Sequence, residues 1–211
     1  VQTCALPISI IGIPGTIDND LAGTDFTIGY DTAINTVVDA VDKIRDTAES
    51  HDRLFVIEVM GRDSGLIALR SGISTGAEAV LIPELEVDYN SILDRLEKTR
   101  KNKASRIIIV AEGDDEGGLV VADRIKERYP HYDVRVSILG HIQRGGKPSC
   151  MDRVLASRLG VAAVEGLLEG RRGEMAGLIH GEVQYTPFSK AIKHIDVINT
   201  NLTRIVEILS L

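Results

Sequence analysis

The chain has 211 residues, 44% of them hydrophobic and 26% charged, with a net charge of −7 at neutral pH. That length buries a sizeable core in roughly one or two domains, and the composition excludes a disordered chain or a small disulfide-stapled scaffold. The negative balance argues against nucleic-acid and membrane-surface partners, which need a basic face, while leaving room for a local arginine cluster that binds a small anion.

The first eight residues, VQTCALPI, have neither helical nor strand period. One back-translation of them spells a common sequencing-library adapter, so residues 1–8 are expected to be foreign to the natural protein, whose chain is expected to begin further upstream. The two cysteines, Cys4 and Cys150, form no metal or disulfide spacing motif, which is what a reducing cytoplasm leaves. No apolar run reaches the ~18 residues of a membrane span, and no cleavable signal opens the chain.

An apolar run at 10–13 predicts a short strand, followed by PGTIDND at 14–20. In an extended segment Asp18 and Asp20, at i and i+2, point the same way. Such a pair either divides magnesium binding and proton acceptance between its members, as phosphoryl transfer requires, or is a polar turn capping the next helix. Ala33, Val37, Val41, Ile44 and Ala48 recur at helical spacing, with Ile34 and Val38 beside them, and predict an amphipathic helix over 33–48. LFVIEV at 54–59 reads as a covered strand that delivers MGRDSG. A helix over 66–74 ended by Gly76 and a strand at 79–83 come next. A helix capped at Asp88 or Asn90 then runs through Leu93 and Leu96 to about Lys101. RIIIVAEG at 106–113 reads as a fully buried strand ending at Glu112 and the loop EGDDEGG. A helix over 119–129, closed by Pro130, leads to a strand at 133–140 that delivers HIQRGG. Ser149 stands three residues before Asp152, a capping-box pattern for a helix to about Glu169. Two short strands, 176–179 and 182–185, and a helix over 199–209 complete the chain.

Strand and helix alternate, which predicts an α/β fold with a doubly wound, mostly parallel sheet and helices on both faces. TIDND, MGRDSG, EGDDEGG and GHIQRGG each follow a strand, so their side chains are expected in the crevice outside the strands' carboxyl ends. Together they supply Asp18, Asp20, Arg62, Glu112, His141 and Arg144: acids that hold a metal and guanidinium forks that suit phosphate. Taken singly, His141 reads more readily as a structural histidine, and helix capping is an alternative reading of Glu112. His51, His131, His180 and His194 lie outside these motifs.

PGTIDND, GTDFTIGYDTA, EVMGR and GHIQRGG, in this order and at these spacings, resemble bacterial ATP-dependent 6-phosphofructokinase. The likeness runs from residue 10 to the helix end near 169, and more weakly beyond. It implies transfer of the γ-phosphoryl of ATP to the 1-hydroxyl of fructose 6-phosphate with Mg2+, in the cytoplasm. It implies a homotetramer whose active and effector sites are shared between subunits. The implied fold is two doubly wound, mostly parallel αβα sandwich domains, the first incomplete. Residues 9–29 and 143–195 would be the remnant of the nucleotide-binding domain, and 30–142 with 196–211 the sugar-phosphate-binding domain.

Carried over residue by residue, Asp18 resembles the family's catalytic base, and Thr16 and Asp20 its neighbours that assist phosphoryl and magnesium positioning, with Asp20 toward the metal. Arg62 resembles the cation facing the transferring phosphoryl. Met60, Gly61, Glu112, His141 and Arg144 match sugar-phosphate contacts. Arg53 and Arg135 match arginines that reach the 6-phosphate of a substrate bound mainly by the neighbouring subunit. Gly15 stands where pyrophosphate-using relatives tend to carry lysine, and so favours ATP. Arg45, Gly76, Glu78, Lys101 and Lys103 match an effector pocket for ADP or phosphoenolpyruvate; an ordinary charged helix end competes as the explanation for the two lysines. The family's glycine-rich ATP loop has no counterpart in these 211 residues, so the fragment alone is expected to be inactive. Two other readings stand beside this one, a pyrophosphate-dependent phosphofructokinase and a non-catalytic phosphosugar- or effector-binding protein. Asp18 beside Arg62 speaks against the second, because binding alone needs no base.

Overall fold

The computed structural model describes residues 8–48, 53–85, 90, 92, 94, 96, 106–114, 117–194 and 200–209. Its centre is a four-stranded, all-parallel sheet. The strands are β4 (Arg53–Val59), β5 (Ala79–Leu81), β6 (Arg106–Ala111) and β7 (Asp133–Ile138), in the order β5-β6-β4-β7. β4 and β6 read as near-continuous apolar runs because both faces of the sheet are covered. On one face Phe55, Ile57 and Val59, with Ile107, Ile109 and Ala111, pack against α1 (Tyr30–Ala48), α2 (Leu66–Thr75) and Val206 of α5 (Thr200–Leu209). On the other face Leu54, Val56, Ile108 and Val110 pack with Val121, Ala122 and Ile125 of α3 (Gly117–Arg128) and with Leu96. The architecture is α/β with parallel sheets, an αβα sandwich.

The predicted helical stripe of α1 is the buried one: Ala33, Val37 and Val41 are each 0% exposed. The helix starts three residues earlier than its apolar period, at Tyr30. α2 ends where expected, with Gly76 at φ +62° and its N–H turned back to the Gly72 and Ile73 carbonyls. Of the helix expected after residue 88, residues 90, 92, 94 and 96 are helical. The strand expected at 133–140 stops at Ile138, because Gly140, at φ +52°, bends the chain into a 3-10 turn, Gly140–Arg144.

The strand expected at 10–13 is shorter, and a second short strand follows it within PGTIDND. β1 (Ile11–Gly12) pairs in parallel with β8 (Glu174–Ile179), which forms an antiparallel hairpin with β9 (Glu182–Pro187). β2 (Gly15–Thr16) pairs instead with β3 (Ile28–Gly29). Pro14 lies between them, and its carbonyl accepts the Ile28 N–H at 2.9 Å. α4 (Cys150–Leu168) packs over β1 and β8.

Half of the capping box forms. Ser149 Oγ accepts the Asp152 N–H at 3.1 Å. The Asp152 carboxylate does not reach back to Ser149. It accepts the N–H groups of Gly29 at 2.9 Å and Thr32 at 2.8 Å, and the Thr32 hydroxyl, so that it caps α1. The Ser149 N–H donates in turn to Thr32 Oγ1 at 3.0 Å.

Candidate functional site

β4, β6 and β7 run parallel and adjacent, so MGRDSG, EGDDEGG and the 3-10 turn of GHIQRGG emerge at one edge of the sheet. Backbone bonds continue the sheet one step past the strands. Glu112 N–H donates to Val59 O at 2.8 Å, and Leu139 N–H to Glu58 O at 3.0 Å. The loop from β4 then departs from extended geometry. Gly61 takes φ +148°, where an added Cβ would lie 2.3 Å from the Ser64 carbonyl oxygen, and Arg62 takes φ +53°. A non-glycine residue in the left-handed region persists when its surroundings hold it there.

Here the holding groups are two side chains from neighbouring strand ends. Gln143 Oε1 accepts Met60 N–H at 3.3 Å. Glu112 Oε1 accepts Gly61 N–H at 3.3 Å and Arg62 N–H at 2.8 Å. Met60 is buried, while Arg62, Glu112, His141 and Arg144 are exposed. Glu112 carries a sequence-based expectation of sugar contact, whereas Gln143, which is 1% exposed, carries none. The signal for Gln143 was its place in the GHIQRGG motif.

The acidic loop is not the extended segment expected. Asn19, between the two acids, takes φ +53°. Its side chain ties the loop together: Oδ1 accepts the Thr27 N–H at 2.7 Å, and Nδ2 donates to the Asp25 carbonyl at 3.1 Å. Thr16 Oγ1 accepts the Asp18 N–H at 3.2 Å. Gly15 is exposed, and a Cβ built on it meets nothing within 4 Å. Asp18 and Asp20 are both buried, at 8% and 7% exposure, and Asp18 Oδ1 has no hydrogen-bond partner among the described residues. Burial raises the Asp18 pKa and the charge of Asp20 raises it further, while Lys193, Arg144 and Arg62 pull it down. Asp18, Asp20, Arg62 and Arg144 therefore share one electrostatic neighbourhood.

Lys193 had no sequence signal. Its ammonium lies 2.8 Å from Asp20 Oδ2, brought there by a strap in which Leu21 pairs with Lys193, Ala22 N–H donates to Ile192 O, and His194 N–H donates to Asp20 O. Among the described residues no three or more His, Cys, Asp or Glu side chains gather around a metal position. Two carboxylates, one with an unpartnered buried oxygen, suit a magnesium ion that takes its other ligands from phosphate and water.

Arg53 and Arg135 stand elsewhere. Both lie toward the amino ends of β4 and β7, and Arg53 is about 20 Å of strand from Val59. Both bond Asp133, Arg53 at 3.2 Å and Arg135 at 2.9 Å, and these bonds, that of Arg135 foremost, hold the Asp133 carboxyl below its usual range. Of the expected effector residues, Arg45 donates to the Thr75 carbonyl beside Gly76. Glu78 is 5% exposed and accepts the Ile107 N–H at 2.6 Å, which turns its carboxylate into the sheet. Lys101 and Lys103, like His51, residues 1–7 and 195–199, lie outside the described residues.

Comparison with known proteins gives a family to this geometry. The family pattern described as Phosphofructokinase matches residues 2–167. The chain is 53% identical over 206 residues to ATP-dependent 6-phosphofructokinase 2 of Bacteroides thetaiotaomicron, covering 97% of this chain and 63% of the relative. It is 59% identical over 202 residues to ATP-dependent 6-phosphofructokinase of Cytophaga hutchinsonii, covering 95% and 62%. Among solved structures, phosphofructokinase from Saccharomyces cerevisiae superposes with a TM-score of 0.81 at 33% identity, over 87% of this chain and 26% of that one. Pyrophosphate-dependent phosphofructokinase from Marinobacter aquaeolei shares the fold, with a TM-score of 0.79 at 24% identity, over 96% of this chain and 60% of that one. The chain thus spans under two thirds of the length of the bacterial relatives it matches.

Proposed function

Because this chain belongs to the phosphofructokinase family, we propose that the protein containing it transfers the γ-phosphoryl group of ATP to the 1-hydroxyl of fructose 6-phosphate, giving fructose 1,6-bisphosphate. The observation that carries the reading is Asp18: a buried carboxylate with an unpartnered oxygen, in the field of Arg62 and Arg144. A base needs hydrogen-bond reach to the hydroxyl it deprotonates, and the guanidinium groups meet the negative charge that spreads over the phosphoryl oxygens.

In this mechanism Asp18 accepts the proton of the sugar hydroxyl. Arg62 orients the incoming phosphoryl group, and Thr16 fixes the loop backbone at Asp18. Met60, Gly61, Glu112, His141 and Arg144 line the sugar-phosphate side. Asp20 would hold magnesium through the oxygen that Lys193 does not contact, and the ion supplies neutralisation of phosphate charge when bound. ATP as donor is supported by relatives named ATP-dependent and by the open space at Gly15. The remoteness of Arg53 and Arg135 from Asp18 supports their use toward a neighbouring subunit in a homotetramer. Arg45 and Gly76, meeting at the end of α2, support an effector pocket for ADP or phosphoenolpyruvate; the inward turn of Glu78 weighs against it as a direct contact. The separate sheets support the division into a nucleotide-side part, 9–29 with 143–195, and a sugar-side part, 30–142 with 196–211. Among the described residues no helix is long and apolar enough to cross a membrane, as suits a cytoplasmic enzyme.

The test compares the 211-residue chain with the protein encoded when the genomic sequence upstream of Ile10 is restored. ATP-dependent phosphorylation of fructose 6-phosphate is expected from the restored protein and not from the chain alone. A restored protein that binds the sugar phosphate without turning it over would overturn the catalytic reading.

A further inference from the structure

Gln143 is the only described residue of the Gly140–Arg144 turn that is fully buried, and both ends of its amide are bonded to backbone. Oε1 accepts Met60 N–H at 3.3 Å and Nε2 donates to the Gly140 carbonyl at 3.1 Å. One bond reaches the loop after β4, which carries Arg62. The other closes the turn that presents His141 and Arg144. Met60 is itself 6% exposed, so without Gln143 its N–H would be a buried donor with no acceptor. An apolar side chain of the same length would fill the space but satisfy neither group.

We propose that Gln143 is a positioning residue that locks the Met60–Arg62 loop to the turn bearing His141 and Arg144, so that both walls of the sugar-phosphate pocket keep one relative placement. The inference rests on the sugar-phosphate reading above. It assigns Gln143 no contact with substrate; it acts through the backbone of residues that have one. Glu112 fixes the Gly61 and Arg62 amides from β6, and Gln143 fixes the Met60 amide from β7, so the loop is clamped from both neighbouring strands.

The experiment uses two variants. Gln143→Met keeps length and volume and removes both bonds; Gln143→Glu keeps the acceptor for Met60 and removes the donor to Gly140. In the 211-residue chain, amide hydrogen exchange at Met60 is expected to quicken about tenfold in Gln143→Met relative to amides of β4 and β6, and to stay near wild type in Gln143→Glu. In the restored enzyme, Gln143→Met should raise the KM for fructose 6-phosphate about tenfold while leaving the KM for ATP in place. Exchange that quickens uniformly over the whole sheet would overturn the proposal in favour of a merely structural role. So would an unchanged sugar KM in an active variant. If Gln143→Met fails to fold, the wild-type chain decides: a Met60 amide that exchanges as fast as an exposed loop amide overturns the lock, and protection matching that of β4 supports it. A wild-type restored protein without sugar-phosphate turnover would sink the proposed function while the Met60 exchange still decides the lock.

Discussion

The Glu112 carboxylate accepts the backbone N–H of Arg62 at 2.8 Å, and so holds a non-glycine residue at φ +53° in the loop that aims its guanidinium group. Glu112→Ala removes the acceptor for two amides at once. The expected result in the restored enzyme is a fall in kcat and a rise in the fructose 6-phosphate KM, together on the order of a hundredfold in kcat/KM. Glu112→Gln, which retains an amide oxygen in place of Oε1, should lose markedly less. Steady-state kinetics of the pair decide whether Glu112 works through the loop or only through its charge.

Asp18→Asn should lower kcat by about 10²–10⁴, the usual contribution of a positioned base, while sugar-phosphate binding measured by calorimetry stays largely intact. Lost binding with unchanged turnover would reverse the role assigned to Asp18.

The same residue gives a pH-dependent stability prediction for the metal-free chain. Burial foremost, then the charge of Asp20, raises the Asp18 pKa, so the folded state favours the protonated acid. Its favourable contribution is complete below the unfolded carboxyl value of about 3.9 and is lost as the pH rises through the folded value. Asp18→Asn, neutral throughout, should therefore be more stable than wild type at pH 7, with the difference narrowing toward pH 4. Urea titrations across that range measure it.

Asp152→Ala should cost about 2–3 kcal/mol in urea denaturation, because it uncaps α1 and leaves three half-buried donors without this acceptor. Asp152 is 2% exposed and bonds Gly29, Thr32 and the Thr32 hydroxyl. Ser149→Ala, which removes only the local cap of α4, should cost less, about 1 kcal/mol.

Gly15→Lys should leave the thermal midpoint of the chain unchanged, since Gly15 is not at positive φ and a Cβ there meets nothing within 4 Å. In the restored enzyme it should raise the KM for ATP. An unaltered ATP KM would remove Gly15 from the donor side.

What was legible in the sequence is what repeats or follows chain direction. The stripe Ala33, Val37, Val41 announced the buried face of α1, and the apolar runs of β4 and β6 announced a sheet covered on both sides. Parallel pairing of β4, β6 and β7 then gathered three motifs at one edge without further instruction. What escaped was set by tertiary partners. Ser149 and Asp152 look like a closed local box, yet the carboxylate serves another helix, because the start of α1 presents it with two N–H groups and a hydroxyl against the single N–H available within α4's own first turn. Asp18 and Asp20 suggested an extended pair; Asn19 turns the chain between them, and its side chain spends its bonds on Thr27 and Asp25. Lys193 reaches Asp20 only because a distant strap lies beside the loop, and no periodicity encodes that.

The clamp on the Met60–Arg62 loop has a consequence for how an anion can be held there. In glycine-rich phosphate loops, successive amides point at the ligand and form a fixed cradle. Here the amides of Met60, Gly61 and Arg62 are all turned to Gln143 and Glu112. In the proposed reaction a phosphoryl group would therefore meet the Arg62 guanidinium at this wall rather than a nest of these three amides, so that contact would depend on the rotamer of a single side chain over a backbone held from both neighbouring strands.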